Sequence, residues 1–238
     1  MIVMVSRRVE LVVVRHAETA NNKARVLQGQ LDTPLSDQGL KQAECVGKYL
    51  KDVTFSHAIS SDLSRALQTG KAIVSSNPSL KGKEIEQWTV LRERCFGELE
   101  GQGVEMLKRA IGKEGQSVDW DAVQDWGPSG GETGLQFNDR VRQFLTELGK
   151  KILTLPPSED LRLLVTTHGG FISVMCKLLV EEYSCKMPEG VFGSCSPNTG
   201  VTKFSLDMDE KGKIIKAECT LRYYKEHLKD LEAVNESV

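Results

Sequence analysis

The stretch Leu11-Val12-Val13-Val14-Arg15-His16-Ala17-Glu18-Thr19-Ala20-Asn21-Asn22 decides the fold. Four consecutive aliphatic residues, three of them β-branched, predict a short strand buried on both faces. The apolar run stops abruptly at Arg15-His16, and polar residues follow. In an open α/β sheet, ligands bind just beyond the carboxyl ends of the strands, so these two side chains fall where chemistry is usually done. Arg15 offers a planar fork of donors that suits a phosphate. His16 offers an imidazole nitrogen as a nucleophile while it stays neutral, and a neighbouring cation lowers a histidine's pKa and favours that form.

The chain around this stretch repeats the pattern. Residues 17–35 carry few periodic apolars and include Gly29 and Pro34, which predicts a long loop of the kind that usually has a function. Ser36 is placed to cap a helix whose apolar face is Leu40, Ala43, Val46, Gly47 and Leu50. A second strand, about 54–60, runs into Ser60-Ser61-Asp62, where Ser61 or Asp62 can cap a helix bearing Leu63, Ala66, Leu67, Gly70, Ile73 and Val74. Arg65 lies in its first turn, and helical side chains lean toward the N-terminus, so its guanidinium can return to the strand end. A third strand, about 84–90, leads into Leu91-Arg92-Glu93-Arg94 and Phe96-Gly97. Residues 103–131 read as an irregular, partly helical insertion closed by Gly127-Pro128-Ser129-Gly130-Gly131. A long helix follows through Ile152, and Pro156-Pro157 stops it. The strand Leu161–Thr166 ends in Thr167-His168-Gly169-Gly170 and enters a helix through residue 180. Two alternating stretches, 201–206 and 213–223, read as a hairpin on a sheet edge with Gly212 in its turn. This order predicts an α/β fold, a three-layer α/β/α sandwich on a mostly parallel sheet. One domain is expected over 1–238, with a lid at about 98–131 and a C-terminal hairpin and tail at about 201–238.

Composition narrows the function. Hydrophobic residues make up 39% of the 238, enough for a sizeable core, and a net charge of −2 gives no whole-chain reason to bind nucleic acid or an anionic membrane. No apolar run approaches the ~20 residues of a membrane span. Met1–Val5 is too short for a signal-peptide core and its arginines follow it instead of preceding it. The expectation is a soluble, cytoplasmic protein. The six cysteines form no CxxC pair and read as buried or incidental thiols. His57, in a strand, and His227, on a polar C-terminal segment, read as structural or exposed. The tryptophans at 120 and 126 fit a lid or ordinary packing equally well.

Three strand ends therefore bring Arg15 and His16, Arg65, and His168 toward one place. Arginines, histidines and helix N-termini can surround a tetrahedral anion with donors, as phosphoryl transfer requires. Glu93, flanked by Arg92 and Arg94, can reach the same rim as a proton donor to a leaving alkoxide and then as a base toward water. Its alternative is a solvated carboxylate paired with Arg92 or Arg94, which leaves Glu98 or Glu100 as the acid.

Arg15-His16-Ala17-Glu18-Thr19 with Asn22, Ser61–Thr69 around Arg65, Leu91-Arg92-Glu93 with Phe96-Gly97, Gly130-Gly131-Glu132-Thr133, Thr167-His168-Gly169 and Ser196–Gly200 occur in the order found in one family. The chain resembles the histidine phosphatase (phosphoglycerate mutase-like) superfamily over roughly residues 10–205. Leu27-Gln28-Gly29-Gln30, Pro34-Leu35-Ser36 and Leu91–Arg94 look most like its fructose-2,6-bisphosphatase-like branch. The resemblance implies a phosphoglycerate mutase-like fold and a phosphohistidine at His16, with Arg15, Arg65 and His168 on the phosphoryl oxygens and Glu93 as proton donor. It also implies Asn22, Gly29, Arg94 and Gly169 as substrate contacts, a small phosphorylated metabolite such as fructose 2,6-bisphosphate or 2,3-bisphosphoglycerate as partner, and no metal or other cofactor. Nuclear or mitochondrial association is implied only by the resemblance, and no protein partner is indicated by the residues.

Two departures stand out. Ala17 replaces the family's usual Gly, which adds a methyl beside the phosphate. The resemblance to fructose-2,6-bisphosphatase domains implies cations ahead of the Gly130-Gly131-Glu132 turn for the substrate's other phosphate, but residues 115–131 contain no Lys or Arg and do contain Asp119, Asp121 and Asp125. Lys23, Arg25, Arg94 and Lys108 could substitute, and the sequence does not place them. The alternatives to hydrolysis are mutase-type phosphoryl transfer and a catalytically weak interaction domain. The short interval from Glu93 to Glu132 favours hydrolysis, since the mutases carry a much longer segment there, and all five core residues are present, which argues against an idle domain.

Overall fold

A computed structural model describes residues 7–113, 124–156, 161–189 and 195–231. Met1–Val5, Asp119, Trp120, Asp121, Pro157 and the last seven residues of the tail lie outside the described residues.

The four aliphatic residues belong to β1 (Arg7–Arg15), which is longer than the apolar run alone indicates. Its alternating side chains enter two cores. Val9, Leu11 and Val13 pack with α5 (Gly134–Thr154) and α6 (Gly169–Tyr183), whereas Val12 and Val14 pack with residues of α2 (Asp37–Leu50) and α3 (Ser64–Ser76). Burial on both faces contributes roughly 1.5–3 kcal/mol for each fully enclosed valine or leucine, and this is what commits the stretch to a central strand. The sheet order is β3-β2-β4-β1-β5-β6, with β2 at His57–Ser60, β3 at Ile85–Gln87, β4 at Leu161–Thr167, β5 at Val201–Met208 and β6 at Ile214–Tyr224. β1, β2, β3 and β4 run parallel, β5 runs antiparallel to β1, and β6 closes the edge as the second arm of the hairpin. The result is the expected α/β sandwich, with α5 and α6 on one face and α2 and α3 on the other.

Several boundaries differ from the sequence reading, each for a local reason. The loop 17–35 contains a short helix, α1 (Ala20–Lys23), started by a capping box between Thr19 and Asn22. β2 begins at His57, and β3 is only three residues long before a 3-10 turn at Thr89–Leu91 takes over. Ser36 caps α2 as expected, accepting from the Gly39 amide. α3 has no local side-chain cap; instead Asp32, from the distant loop, accepts from the Ser64 amide and hydroxyl at 2.6 and 2.8 Å. Among the described residues of the insertion, Val104–Ala110 form a helix, α4. α2 and α3 approach closely at Gly47, where a Cβ would lie 2.9 Å from the Ala72 carbonyl oxygen.

Candidate active site

β2, β4 and β1 are neighbours in the sheet, so their carboxyl ends deliver Ser61, His168, Arg15 and His16 side by side. His16 is 3% exposed, and its Nδ1 lies 2.7 Å from the carbonyl oxygen of Ala17. A carbonyl only accepts, so Nδ1 carries the proton and Nε2 keeps a lone pair. Burial, then Arg15, then Arg65 hold the His16 pKa well below its ordinary value, which secures the neutral, nucleophilic form. The sequence reading named only the cation; burial is the larger cause. The Ala17 methyl is enclosed in the core, and its amide donates to Thr69 Oγ1 at 3.0 Å.

His168 is fully buried, with its ring centroid 5.2 Å from that of His16. Its Nε2 lies 2.9 Å from Ser61 Oγ, which accepts from the Leu63 amide. Burial, followed by Arg65, lowers the His168 pKa well below its ordinary value.

Arg65 is 1% exposed and donates to the carbonyls of Leu31 and Gly29, both at 2.7 Å. Burial brings its pKa down to about 10, still cationic at neutral pH. Arg15 donates to the Ser196 carbonyl at 2.6 Å. Three side-chain nitrogens in this group are buried without a hydrogen-bond partner: Arg15 Nε, Arg65 Nε and His168 Nδ1. Buried polar atoms of this kind are normally satisfied, and here all three belong to residues that a tetrahedral anion would engage.

Glu93 is anchored at the rim. Its Oε2 accepts from the Gly170 amide at 2.9 Å, at the N-terminus of α6, and its Oε1 accepts from the Arg94 amide at 2.9 Å. Arg92 grips Asp62, and the Arg94 guanidinium donates to the Trp126 and Glu132 carbonyls. Of the alternative acids, Glu100 accepts from the Gln30 and Phe96 amides, and Glu98 is exposed.

The four expected auxiliary contacts fare differently. Asn22 Oδ1 accepts from Thr19, and Asn198 Nδ2 lies 3.5 Å from it. Gly29 has φ +51, and a Cβ there would overlap the Glu100 carboxylate, so glycine is required by the loop itself. A Cβ on Gly169 would overlap Cys195 Sγ and lie 3.2 Å from Arg15 Nε. Arg94 departs from the sequence reading: it is buried, its guanidinium is turned to carbonyls of the segment that closes the insertion, and it faces Phe96 and Trp126. Arg25 and Lys108 both pair with Glu105 at the surface, and Lys23 is exposed at the end of α1.

Other residues enter that the sequence reading did not single out. Arg140, on α5, makes a bidentate pair with Glu132 at 2.7 and 2.6 Å and donates to the carbonyls of Val90, Arg92 and Glu93. It therefore holds the segment from which Glu93 projects. In sequence it is one more arginine on the polar side of an amphipathic helix. Thr167 donates to the Leu91 carbonyl at 2.7 Å, and Asn198 donates to the His16 carbonyl at 3.0 Å. The match of Ser196–Gly200 to a family motif was the only signal for Asn198. Among the described residues, no group of three His, Cys, Asp or Glu side chains is arranged to hold a metal ion, and no helix is long and apolar enough to cross a membrane.

The family model described as "Histidine phosphatase superfamily (branch 1)" matches residues 11–217. The chain belongs to the histidine phosphatase superfamily. This histidine phosphatase is 35% identical over 237 residues to "Fructose-2,6-bisphosphatase TIGAR B" of Danio rerio, a match covering 87% of this chain and 90% of that protein. It is 32% identical to "Fructose-2,6-bisphosphatase TIGAR" of Xenopus tropicalis over 95% of this chain and 97% of the other. Among solved structures, a mycobacterial glucosyl-3-phosphoglycerate phosphatase in complex with VO3 superimposes with a TM-score of 0.72 at 26% identity, covering 91% of this chain and 99% of that one. The phosphoglycerate mutase of Bacillus anthracis gives 0.72 at 25% identity, covering 88% and 91%.

Proposed function

We propose that this phosphatase hydrolyses a small sugar bisphosphate, of the fructose 2,6-bisphosphate kind, through a phosphohistidine on His16. The observation that carries the reading is the set of three buried, unpartnered nitrogens beside His16, together with an Nε2 whose lone pair is kept available by the Ala17 carbonyl. In the first step Nε2 attacks phosphorus, the N–P bond forms, and the P–O bond to the sugar breaks. Glu93, entering as the carboxylic acid, gives its proton to the departing alkoxide. The Nδ1–H bond to Ala17 stabilises the positive charge that develops on the ring. Arg15, Arg65 and His168 carry the equatorial oxygens. In the second step Glu93, now a carboxylate, takes a proton from water as it attacks phosphorus, and phosphate and neutral His16 are released.

The second phosphate of the substrate is assigned to Lys23, Arg25 and Lys108, where the 17–35 loop meets α4. The pairing of Arg25 and Lys108 with Glu105 is a surface one and holds those cations loosely. Names of relatives support this substrate class. We place the enzyme in the cytoplasm; its six cysteines, none of them in a disulfide, suit a reducing compartment.

The test is phosphate release, without added metal, from fructose 2,6-bisphosphate, 2,3-bisphosphoglycerate and simple monophosphates, with His16→Ala alongside. Release abolished by the substitution, and an acid-labile phosphate trapped on His16, are the expected results. Equal turnover by His16→Ala refutes the reading, and transfer of phosphate to a second metabolite without release would make the protein a mutase.

A further inference from the structure

The turn 196–200 touches both residues of the Arg15-His16 pair. Its Ser196 carbonyl accepts from the Arg15 guanidinium, its Gly200 carbonyl accepts from the Arg15 amide at 3.2 Å, and Asn198 Nδ2 and the Thr199 amide donate to the His16 carbonyl at 3.0 and 3.4 Å. Thr199, at the apex, has φ +54 and is fully buried. A β-branched residue in the left-handed region is an outlier, and such a conformation persists only where surrounding contacts over-determine it. What meets the Thr199 side chain comes from the far end of the chain: His227 Nε2 lies 2.9 Å from Thr199 Oγ1.

We propose that His227 is a positioning residue for the phosphatase reaction, fixing through Thr199 the turn that aims Arg15 and His16. The proposal rests on the reading of His16 as the nucleophile. The His227 ring is itself held: it stacks on Tyr49 of α2 at 5.6 Å and 19°, and lies 5.9 Å from Tyr224 at the end of β6. Tyr49 and Tyr224 stack on each other at 4.7 Å, and the adjacent Leu228 is buried. A ring packed against this tyrosine pair presents its nitrogen at a fixed place, so the hydroxyl of Thr199 meets a preorganised partner. Burial takes the His227 pKa down to about 4, and the ring therefore stays neutral at working pH. An aromatic hydrocarbon would fill the same space. The imidazole adds one hydrogen bond, and that bond reaches the nucleophile's backbone through a single residue.

The experiment compares His227→Phe, which keeps the stack and removes the bond, with His227→Gln, which restores a donor and acceptor. His227→Phe is expected to lower kcat about tenfold with KM within twofold, because a small misplacement of a reacting group acts on the chemical step. His227→Gln is expected to recover at least half of the loss. Full kcat in a folded His227→Phe protein overturns the proposal, and so does a Gln protein no better than the Phe one. Should the His227 variants fail to fold, Thr199→Ser and Thr199→Val test the same bond from its other side, and equal kcat in those two overturns it. The 15N shifts of His16 by NMR report its tautomer and surroundings whether or not substrate turns over. A wild type that releases no phosphate while His227→Phe moves those shifts would refute the function and leave the positioning intact. Unmoved shifts with normal wild-type turnover would do the reverse.

Discussion

Replacing Gly170 with alanine separates the chemistry of Glu93 from the stability of the fold. Gly170 is the second residue of α6, and glycine there costs the helix up to about 1 kcal/mol relative to alanine. A Cβ at this position would lie 2.5 Å from Glu93 Oε1 and 3.1 Å from its Cδ. Ordinary contact needs at least about 3.4 Å, so the carboxylate must retreat by about 1 Å and give up its bond to the Gly170 amide. A charge-assisted bond is worth roughly 1.5–3 kcal/mol, but Glu93 is only half-buried and water can replace the lost donor. Gain and loss nearly cancel, and the melting temperature should stay within a few degrees. Activity should not. A displacement of about 1 Å in a catalytic group costs about a hundredfold, or about 2.7 kcal/mol of barrier. The assay is kcat on an alkyl phosphate beside the burst of product from an aryl phosphate, whose leaving group departs without a proton. The alkyl ester should lose about a hundredfold and the aryl burst should survive. Wild-type turnover of the alkyl ester by a folded Gly170→Ala protein would refute the placement of Glu93 as the acid.

Arg140→Met strands the Glu132 carboxylate and releases three carbonyls; losing charge-assisted bonds at this half-buried pair costs about 1.5–3 kcal/mol, a fall in melting temperature of roughly 7 °C. Adding Glu132→Gln should recover part of that fall, and no recovery would show that the pair is not the source of the loss. Arg65→Lys keeps the charge and loses the planar fork on Gly29 and Leu31, so kcat/KM should drop about a hundredfold or more; a drop under threefold would argue for a simple charge effect. Stability should also depend on pH. His16 and His168 have folded-state pKa values well below 6.5, so below pH 6.5 the unfolded chain binds more protons than the folded one. The stability they confer is complete above 6.5 and is lost as pH falls, by about 1.4 kcal/mol per pH unit for each. Urea midpoints measured from neutral pH downward should decline from about 6.5, and a flat profile would contradict the burial of neutral imidazoles.

Much of the site was legible because its parts are local patterns. A run of valines that ends in Arg15-His16, a strand that ends in Thr167-His168, and Arg65 in the first turn of a helix all declare their position through periodicity over a few residues. The Ser36 cap was legible for the same reason, since donor and acceptor lie three residues apart. The cap of α3 was not, because Asp32 arrives from a different loop. The fate of Arg94 was also hidden. Its sequence neighbours are Glu93 and Cys95, yet what satisfies its guanidinium are carbonyls at 126 and 132. Arg140 read as one more arginine on the polar side of a helix and His227 as structural or exposed, because their partners Glu93 and Thr199 lie 47 and 28 residues away in the chain.

The order of residues along the chain already encodes the α/β alternation, the double burial of β1 and the arrival of two histidines and two arginines at strand ends. These follow from side-chain periodicity and from the rule that parallel strands feed helices at one edge. Tertiary packing alone sets which nitrogen of His16 keeps its lone pair, rests Glu93 on the first turn of α6, and gives Arg94, Arg140 and His227 partners from distant segments. Each of those outcomes depends on a hydrogen bond between atoms brought together by chain crossings. A bond of that kind is fixed by packing across the fold, and nothing in the spacing of neighbouring residues encodes it.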